Sequence, residues 1–396
     1  MIKPNNSKEN KVLNRNNVIK MLMLHAPLSR IELSKLSGLS KMTLTNIINE
    51  FLEEGIVTEG EKGITATSGR KPITLSLSEN GFAAIGVYIS RSSVSGCVLS
   101  AVGKIHAIES VPLGLSDNQE TFEKKLRFVA GSLMRQAEGH NLWGIGVGAI
   151  GPVDIRSGTI LNPPDFYGIT EIPVKEILST EYGMPVYIDN DMNAAAVAEK
   201  YFGLAKRMND FIYIGVTNGI GAGIFSGGKL LAGSSGLAGE LGHTSVDING
   251  RPCPCGSRGC LELYADIKHT VARFRESAAA GAKTMVVSPD TADYRDLCTA
   301  LESGDPLCAS ILNEQCRYLA AGITGIVNLF DPECIILGHE LAHAGKFVSE
   351  AIAQEVNSRT LFHDFKHVPV AVSSFYENTP LIGSAAQVFD RVLSGR

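Results

Sequence analysis

The sequence predicts an α/β body carried behind a small winged-helix head. Three observations lead there: a basic N-terminal segment with two closely spaced helix starts, a long remainder in which apolar strands alternate with glycine turns and helical stretches, and a knot of one histidine and three cysteines. At 396 residues the chain exceeds what one hydrophobic core usually organises, so two or three domains are expected. Hydrophobic residues make up 44% and charged residues 19%, and no run of about 18 apolar residues occurs, which argues against a membrane span. Residues 1–17, MIKPNNSKENKVLNRNN, lack the apolar stretch of a secretion signal, so a cytoplasmic protein is expected, in a compartment where disulfides are rare.

The net charge of -5 hides an asymmetry. Residues 1–45 carry eight Lys or Arg against Glu9 and Glu32, a balance of +6, which leaves -11 on the rest. A basic end on an acidic body points to a polyanionic partner for the head alone.

The head is expected over residues 1–80. In LSRIELSKLSGLSKMTLTNIINEFLEEG (28–55), Ser29 and Glu32 form a capping box, and Leu28 and Leu33 stand as a hydrophobic staple. Gly38 ends that helix, and Ser40 caps the next. Leu44, Ile47, Ile48, Phe51 and Leu52 make one apolar stripe that must face the core. The other side offers Lys41, Thr43, Thr45, Asn46 and Asn49, donors and acceptors suited to base edges and phosphates. IVTEGEKGITATSGRKPITLSL (56–77) then reads as strand, turn and strand, with Ile73, Leu75 and Leu77 alternating. This is a wing, and Arg70 and Lys71 place two cations on its loop near phosphates or a minor groove.

From residue 81 onward, LWGIGVGAIGPVD (142–154) and MPVYIDNDMNAAAVAEK (184–200) are strand-then-turn and strand-then-helix units, and no sequence repeat or low-complexity tract is visible. Asp189, Asn190 and Asp191 stand where a strand meets an alanine-rich helix, an edge that ligands favour and where simple N-capping is the bland alternative. GVTNGIGAGIFSGG (215–228) suits either a phosphate cradle or a hairpin.

GHTSVDINGRPCPCGSRGCLE (242–262) offers His243, Cys253, Cys255 and Cys260, a Cys₃His set of the kind that closes around a structural Zn²⁺. Gly256 and Gly259 let the loop turn sharply enough to gather the sulfurs. Reduced cysteines without metal and a redox pair are the alternatives. If the metal takes one ring nitrogen of His243, the other becomes a fixed donor expected to point toward Glu240 and Glu262. A rigid donor between two carboxylates suits the neighbouring hydroxyls of a sugar. The remaining cysteines, Cys97, Cys298, Cys308, Cys316 and Cys334, lie in apolar surroundings and read as buried small hydrophobes.

With GHTSVDINGRPCPCGSRGCLE, GLAGELGH (236–243) and IDNDMNAAAVAE (188–199), the chain resembles the ROK family of repressors, open reading frames and kinases over nearly its whole length. The resemblance implies an actin-like (ribonuclease-H-like) two-lobed sugar-kinase fold. The first lobe would span 81–190, completed by a C-terminal helix over 380–396, and the second 191–379 with the zinc loop. It implies sugar bound between the lobes, with Asn190, Asp191, Glu240, His243 and Glu262 on its hydroxyls and Asp191 at the position of the kinases' general base. Asp165, in LNPPDF, stands where the family more often shows asparagine, which leaves the choice of sugar open.

The departures from the kinase pattern decide the branch. Where kinases resemble D-x-G-G-T, this chain has VYISRSS, with Tyr88 for the aspartate and Ser90 and Arg91 for the glycines. Phosphoryl transfer depends on positioning and charge neutralisation, so this loss predicts a vestigial Asp191 and no catalysis. CIILGHE (334–340) likewise puts His339 and Glu340 after Gly338, where nucleotide-binding members resemble a paired glycine. The expectation is therefore a sugar-responsive repressor: a homodimer, or dimer of dimers, on a pseudo-palindromic operator, with a sugar or sugar phosphate as effector and no membrane partner. An ATP-dependent sugar kinase that also binds DNA, and a repressor governed by a protein partner, are the rival readings.

Overall fold

The computed structural model describes residues 7–60, 73–361 and 364–395. The head contains helix α1 (Ser7–His25), strand β1 (Leu28–Ser29), helices α2 (Arg30–Ser37) and α3 (Lys41–Glu53), and strands β2 (Val57–Glu59) and β3 (Thr74–Leu77). Ser29 and Glu32 close a reciprocal capping box on α2, Gly38 ends it at φ +66°, and the Ser40 hydroxyl accepts from the Thr43 amide to start α3. Leu44, Ile47, Ile48 and Phe51 are buried and Leu52 is half-buried, as the stripe requires. β3 pairs antiparallel with β1 and β2, matching Leu75 to Leu28 and Leu77 to Val57.

Two head features differ from expectation. Residues 7–25 form a helix before the first expected one, because its second half seats Val18, Ile19, Leu22 and Met23 in the core at a period of three to four residues. Ile73 precedes β3 and is 39% exposed, so only Leu75 and Leu77 carry the inward face. Arg70 and Lys71 lie outside the described residues.

The body continues with β4 (Ala83–Ile89), β5 (Ser93–Ser100), β6 (Ile105–Pro112), α4 (Gln119–Gln136), β7 (Leu142–Ala149), β8 (Val153–Asp154), β9 (Thr159–Ile160), α5 (Val174–Tyr182), β10 (Val186–Asn190) and α6 (Asp191–Phe202). β11 (Phe211–Val216), β12 (Ile220–Ser226), β13 (Lys229–Leu230), α7 (Glu262–Ala265), α8 (Ile267–Ala279), α9 (Tyr294–Glu302), α10 (Pro306–Phe330), β14 (Cys334–His339), α11 (Gly345–Arg359), β15 (Val370–Val372) and α12 (Thr379–Leu393) follow.

Packing divides the chain into a first unit, residues 1–207 with 380–396, and a second, residues 208–379. The division therefore falls after α6 rather than at 190/191, and the head groups with the first unit rather than standing apart. α6 packs on β7 and β10 and is touched by α1. It also meets α12, where a Cβ on Gly383 would run into the Ala194 carbonyl. The first sheet has the order β10-β7-β4-β5-β6, and the second β13-β12-β11-β14-β15. Each is an antiparallel meander extended beyond its first strand, on one side, by two successive parallel strands reached through helical crossovers. Two copies of one topology, invisible as a sequence repeat, are what an actin-like body requires. GVTNGIGAGIFSGG forms the β11–β12 hairpin, with Gly215 opposite Gly221, so its glycines serve a turn.

Ile85, Val87, Leu126 and Val147 centre the first core, and Ile214, Leu312, Ile323 and Leu337 the second. Each such side chain contributes about 1.5–3 kcal/mol by burial. Glycines admit α12 to the first sheet: a Cβ on Gly146 would strike the Ser384 carbonyl, and the Gly148 amide donates to Ser384 Oγ at 3.0 Å. The five scattered cysteines are buried, and burial pushes the thiols of Cys97, Cys298, Cys308 and Cys316 up to about 12. Among the described residues no helix is long and apolar enough to cross a membrane.

Candidate functional site

In the second unit, a loop folded back on itself brings the four expected metal ligands together. The Val246 amide bonds Gly259 O, the Cys253 amide bonds Ser257 O and the Leu261 amide bonds Thr244 O, so both arms of the loop are pinned by backbone. Gly256 and Gly259 take φ +93° and +64°, and a Cβ on Gly259 would strike the Asp247 carbonyl. His243, Cys253, Cys255 and Cys260 then offer ligand atoms that all lie within 4.8 Å of one another, a set able to hold a metal ion. Cys255 Sγ is 3.6 Å from Cys260 Sγ, and Cys253 Sγ is 3.8 Å from His243 Nδ1.

Glu262 begins α7 directly after this loop, and Glu240 precedes a short 3₁₀ turn that ends at His243. Glu262 Oε1 lies 3.3 Å from His243 Nδ1 and 3.4 Å from Cys253 Sγ. This corrects the expected layout: Nδ1 faces both the cysteines and Glu262, so the carboxylate sits beside the ligand cluster instead of across the ring from it. Glu240 makes no ion pair with His243 among the described residues, though it is close enough to feel both His243 and Glu262. Burial raises its carboxyl above the ordinary range, with His243 opposing and Glu262 adding to the shift. Glu240 also belongs to the wall of a largely apolar cavity of about 500 Å³.

In the first unit, the parallel strands β4, β7 and β10 end together. Asn190 caps α6, its Oδ1 accepting from the Met192 amide at 2.8 Å, and Asp191 is the first helical residue, so capping and site placement coincide. A Cβ on Gly151, just past β7, would lie 3.0 Å from Asn190 Nδ2, which places that donor over the strand ends. Asp189 is only 2% exposed. It accepts from the Asn190 amide at 2.9 Å, Asn193 Nδ2 at 2.7 Å and Arg391 Nη2 at 3.1 Å, and these donors oppose the upward push of burial on its carboxyl. At the end of β4, Ser90 Oγ accepts from the Ser92 and Ser93 amides at 3.3 and 3.1 Å. Arg91 Nε donates to Pro164 O at 3.2 Å, tying this turn to the loop bearing Asp165, an exposed residue at φ +55°.

On α3, Lys41, Asn46 and Asn49 are exposed, Thr43 and Thr45 are half-buried, and Met42 stands 77% exposed among them. Thr45 Oγ1 donates to Lys41 O at 2.8 Å, and Thr43 Oγ1 is 2.9 Å from Ser40 Oγ, so both hydroxyls have local partners. Part of the positive charge near the terminus is matched internally. Lys11 and Arg15 pair with Glu50, Arg15 also with Glu54, and Arg30 with Glu59. Residues 46–59 add four glutamates and no cation, which lowers the balance over 1–59 to +2.

The ROK family model matches residues 84–391. The chain belongs to the ROK family. The putative xylose repressor of Caldicellulosiruptor sp. (strain Rt8B.4) is 29% identical over 97% of both chains. The DNA-binding transcriptional dual regulator NagC of Escherichia coli (strain K12) is 30% identical over 97% of this chain and 94% of its own. A crystal structure of a ROK family transcriptional regulator, a homologue of the E. coli MLC protein, superposes with a TM-score of 0.82 at 26% identity, covering 98% of this chain and 97% of that one. A ROK glucokinase from Streptomyces griseus in complex with glucose and AMPPNP reaches 0.68 at 29% identity, covering 77% of this chain and 98% of its own.

Two site features of this ROK protein escaped sequence reading. Arg391 and Asn193 secure Asp189, which the sequence shows only as one member of the D-N-D triplet. Asp189 lies in β10 and Asn193 in α6, so no helical period relates them, and Arg391 is 202 positions from Asp189 with nothing local to signal it.

Proposed function

We propose that this ROK protein is a sugar-responsive DNA-binding transcriptional repressor whose kinase-like body binds a sugar or sugar phosphate without phosphorylating it. The observation that carries this reading is full-length similarity, head included, to proteins described as repressors, while the glucokinase covers 77% of the chain. Two subunits would set α3 helices in successive major grooves of a pseudo-palindrome, a spacing of about 34–36 Å. Lys41, Asn46 and Asn49 supply the exposed contacts, with Thr43, Thr45, Arg70 and Lys71 completing the proposed interface.

The proposed sugar contacts are Asn190, Asp191 and Asp165 in the first unit and Glu240, His243 and Glu262 in the second. Zinc is the proposed metal. A tetrahedral Zn²⁺ with Zn–S of about 2.3 Å and Zn–N of about 2.0–2.1 Å spaces two sulfurs about 3.8 Å apart and sulfur from nitrogen about 3.6 Å. The observed 3.6 and 3.8 Å fit that set. Bound zinc would supply a closed structural clamp through His243, Cys253, Cys255 and Cys260, with Nδ1 as the histidine ligand. That would hold the ring next to Glu262, whose Oε1 lies 3.3 Å from Nδ1.

Two features support the loss of catalysis. Kinase phosphate loops present free amides, but here the Ser92 and Ser93 amides are taken by Ser90 Oγ, and Tyr88 replaces the carboxylate. In the second unit His339 is buried at φ +57°. A Cβ on the neighbouring Gly338 would strike the Tyr213 hydroxyl, so a side chain already fills the space beside that glycine. Burial lowers the His339 imidazole to about 4, so it stays neutral and offers no positive charge to a phosphate.

Asp191 favours the kinase reading, and one assay decides between them. Incubation with Mg²⁺-ATP and D-glucose, D-xylose or N-acetyl-D-glucosamine is expected to give no sugar phosphate. Turnover abolished by Asp191→Asn would replace the proposal with a DNA-binding sugar kinase.

A further inference from the structure

α6 starts at the Asp189–Asp191 corner of the first unit, and the last turn of α12 joins that corner to α1 of the DNA-binding head. α6 starts at Asp191 and carries Tyr201 in its last turn. α12 carries Arg391, paired with Asp189 at 3.1 Å, between two residues that hold α1: the Val392 carbonyl accepts from Asn16 Nδ2 at 3.0 Å, and Asp390 Oδ1 lies 3.9 Å from Lys20 Nζ. The helices are tied together at that end, because Tyr201 donates to Asp390 Oδ1 at 2.9 Å, and Lys20 Nζ stands 5.9 Å over the Tyr201 ring.

We infer that Arg391 is a positioning residue that transmits the state of Asn190 and Asp191 to α1. This rests on the proposed sugar-responsive DNA binding. Asp189 accepts from the Asn190 backbone amide, so a ligand that moves Asn190 moves the hydrogen-bond geometry of a carboxylate that is 2% exposed. A buried charge cannot drop its partner without a large penalty, so Arg391 must follow it or resist the movement. α12 is a continuous helix at that point, and a displacement of Arg391 carries Asp390 and Val392 with it. Both grip α1, which packs against α2 and β3 in the head. Rigid elements joined by exchangeable polar contacts are the physical form such coupling takes, and a coupling energy between the two ends is its signature.

The test uses the full chain and a duplex selected from random sequence by the wild type. DNA affinity is measured with and without D-xylose, D-glucose, N-acetyl-D-glucosamine and their phosphates, alongside sugar affinity in the absence of DNA. With the sugar to which the wild type responds, Arg391→Gln and Lys20→Met are expected to bring the ratio of the two DNA affinities to within about twofold of one. Lys20→Met leaves sugar affinity within about twofold of wild type, and being half-exposed it tests the path even where Arg391→Gln does not fold. A responding wild type whose variants lose only thermal stability and keep the full ratio overturns this inference alone. A wild type that responds to none of these sugars overturns the proposed function as well.

Discussion

At the scale of single residues, the loop that gathers His243, Cys253, Cys255 and Cys260 was the most legible part of the chain. One histidine, three cysteines and two glycines within a short stretch leave few geometries, and positive φ at both glycines is what the gathering of sulfurs demanded. The side of the ring on which Glu262 sits was not legible, because it depends on how α7 leaves the loop. Cys255→Ser is expected to lose bound zinc, measured by elemental analysis, and to lower Tm by about 5 °C or more, since metal affinity in such loops is partly folding free energy. A metal-free variant of unchanged Tm and sugar response would contradict the clamp. Glu340 gives a pH prediction. Burial first, then Glu377, raise its carboxyl to about 7 against the partial relief of Arg295. Between the ordinary value of 4.5 and about 7 the folded state keeps a proton that the unfolded state has lost, so stability falls as pH rises through that window. Glu340→Gln should therefore gain on the order of 2–3 kcal/mol over wild type at about pH 8 and little at about pH 4, read from denaturant unfolding. Equal gains at both pH values would refute the assignment.

At the scale of elements, the helix-turn-helix was readable because its boundaries are written in local chemistry: Ser29 and Glu32, Gly38, and Ser40 each act within four residues. α1 was not legible because residues 9–13 are exposed, Val12 and Leu13 included, and its buried residues, Val18, Ile19, Leu22 and Met23, come only in its second half. The charge count over 1–45 also overstated the head's positive surface, since Glu50 and Glu54 reach back to Lys11 and Arg15. Lys35 and Lys41 are exposed. Lys41→Ala is expected to weaken DNA binding uniformly across sequences and to reduce the slope of log affinity against log salt by about 0.9, with sugar affinity unchanged. An unaltered salt slope would remove Lys41 from the phosphate contacts.

At the scale of the whole molecule, α/β alternation announced the fold class, but not the duplicated strand order or the role of α12. Both depend on long-range pairing: β4 with β7, β11 with β14, and a terminal helix admitted by Gly86, Gly146 and Gly148. No window of sequence contains both partners of these contacts. The same distance hides the join between head and body, which uses Asn16, Lys20, Asp390 and Val392. The central claim is that a sugar-binding body without phosphoryl transfer governs the head's grip on DNA. Its most direct test is a titration of the selected duplex with the full chain across a panel of sugars and sugar phosphates, followed by fluorescence anisotropy. One sugar class is expected to shift DNA affinity by about 5–150-fold. The same affinity with every member of the panel would contradict it.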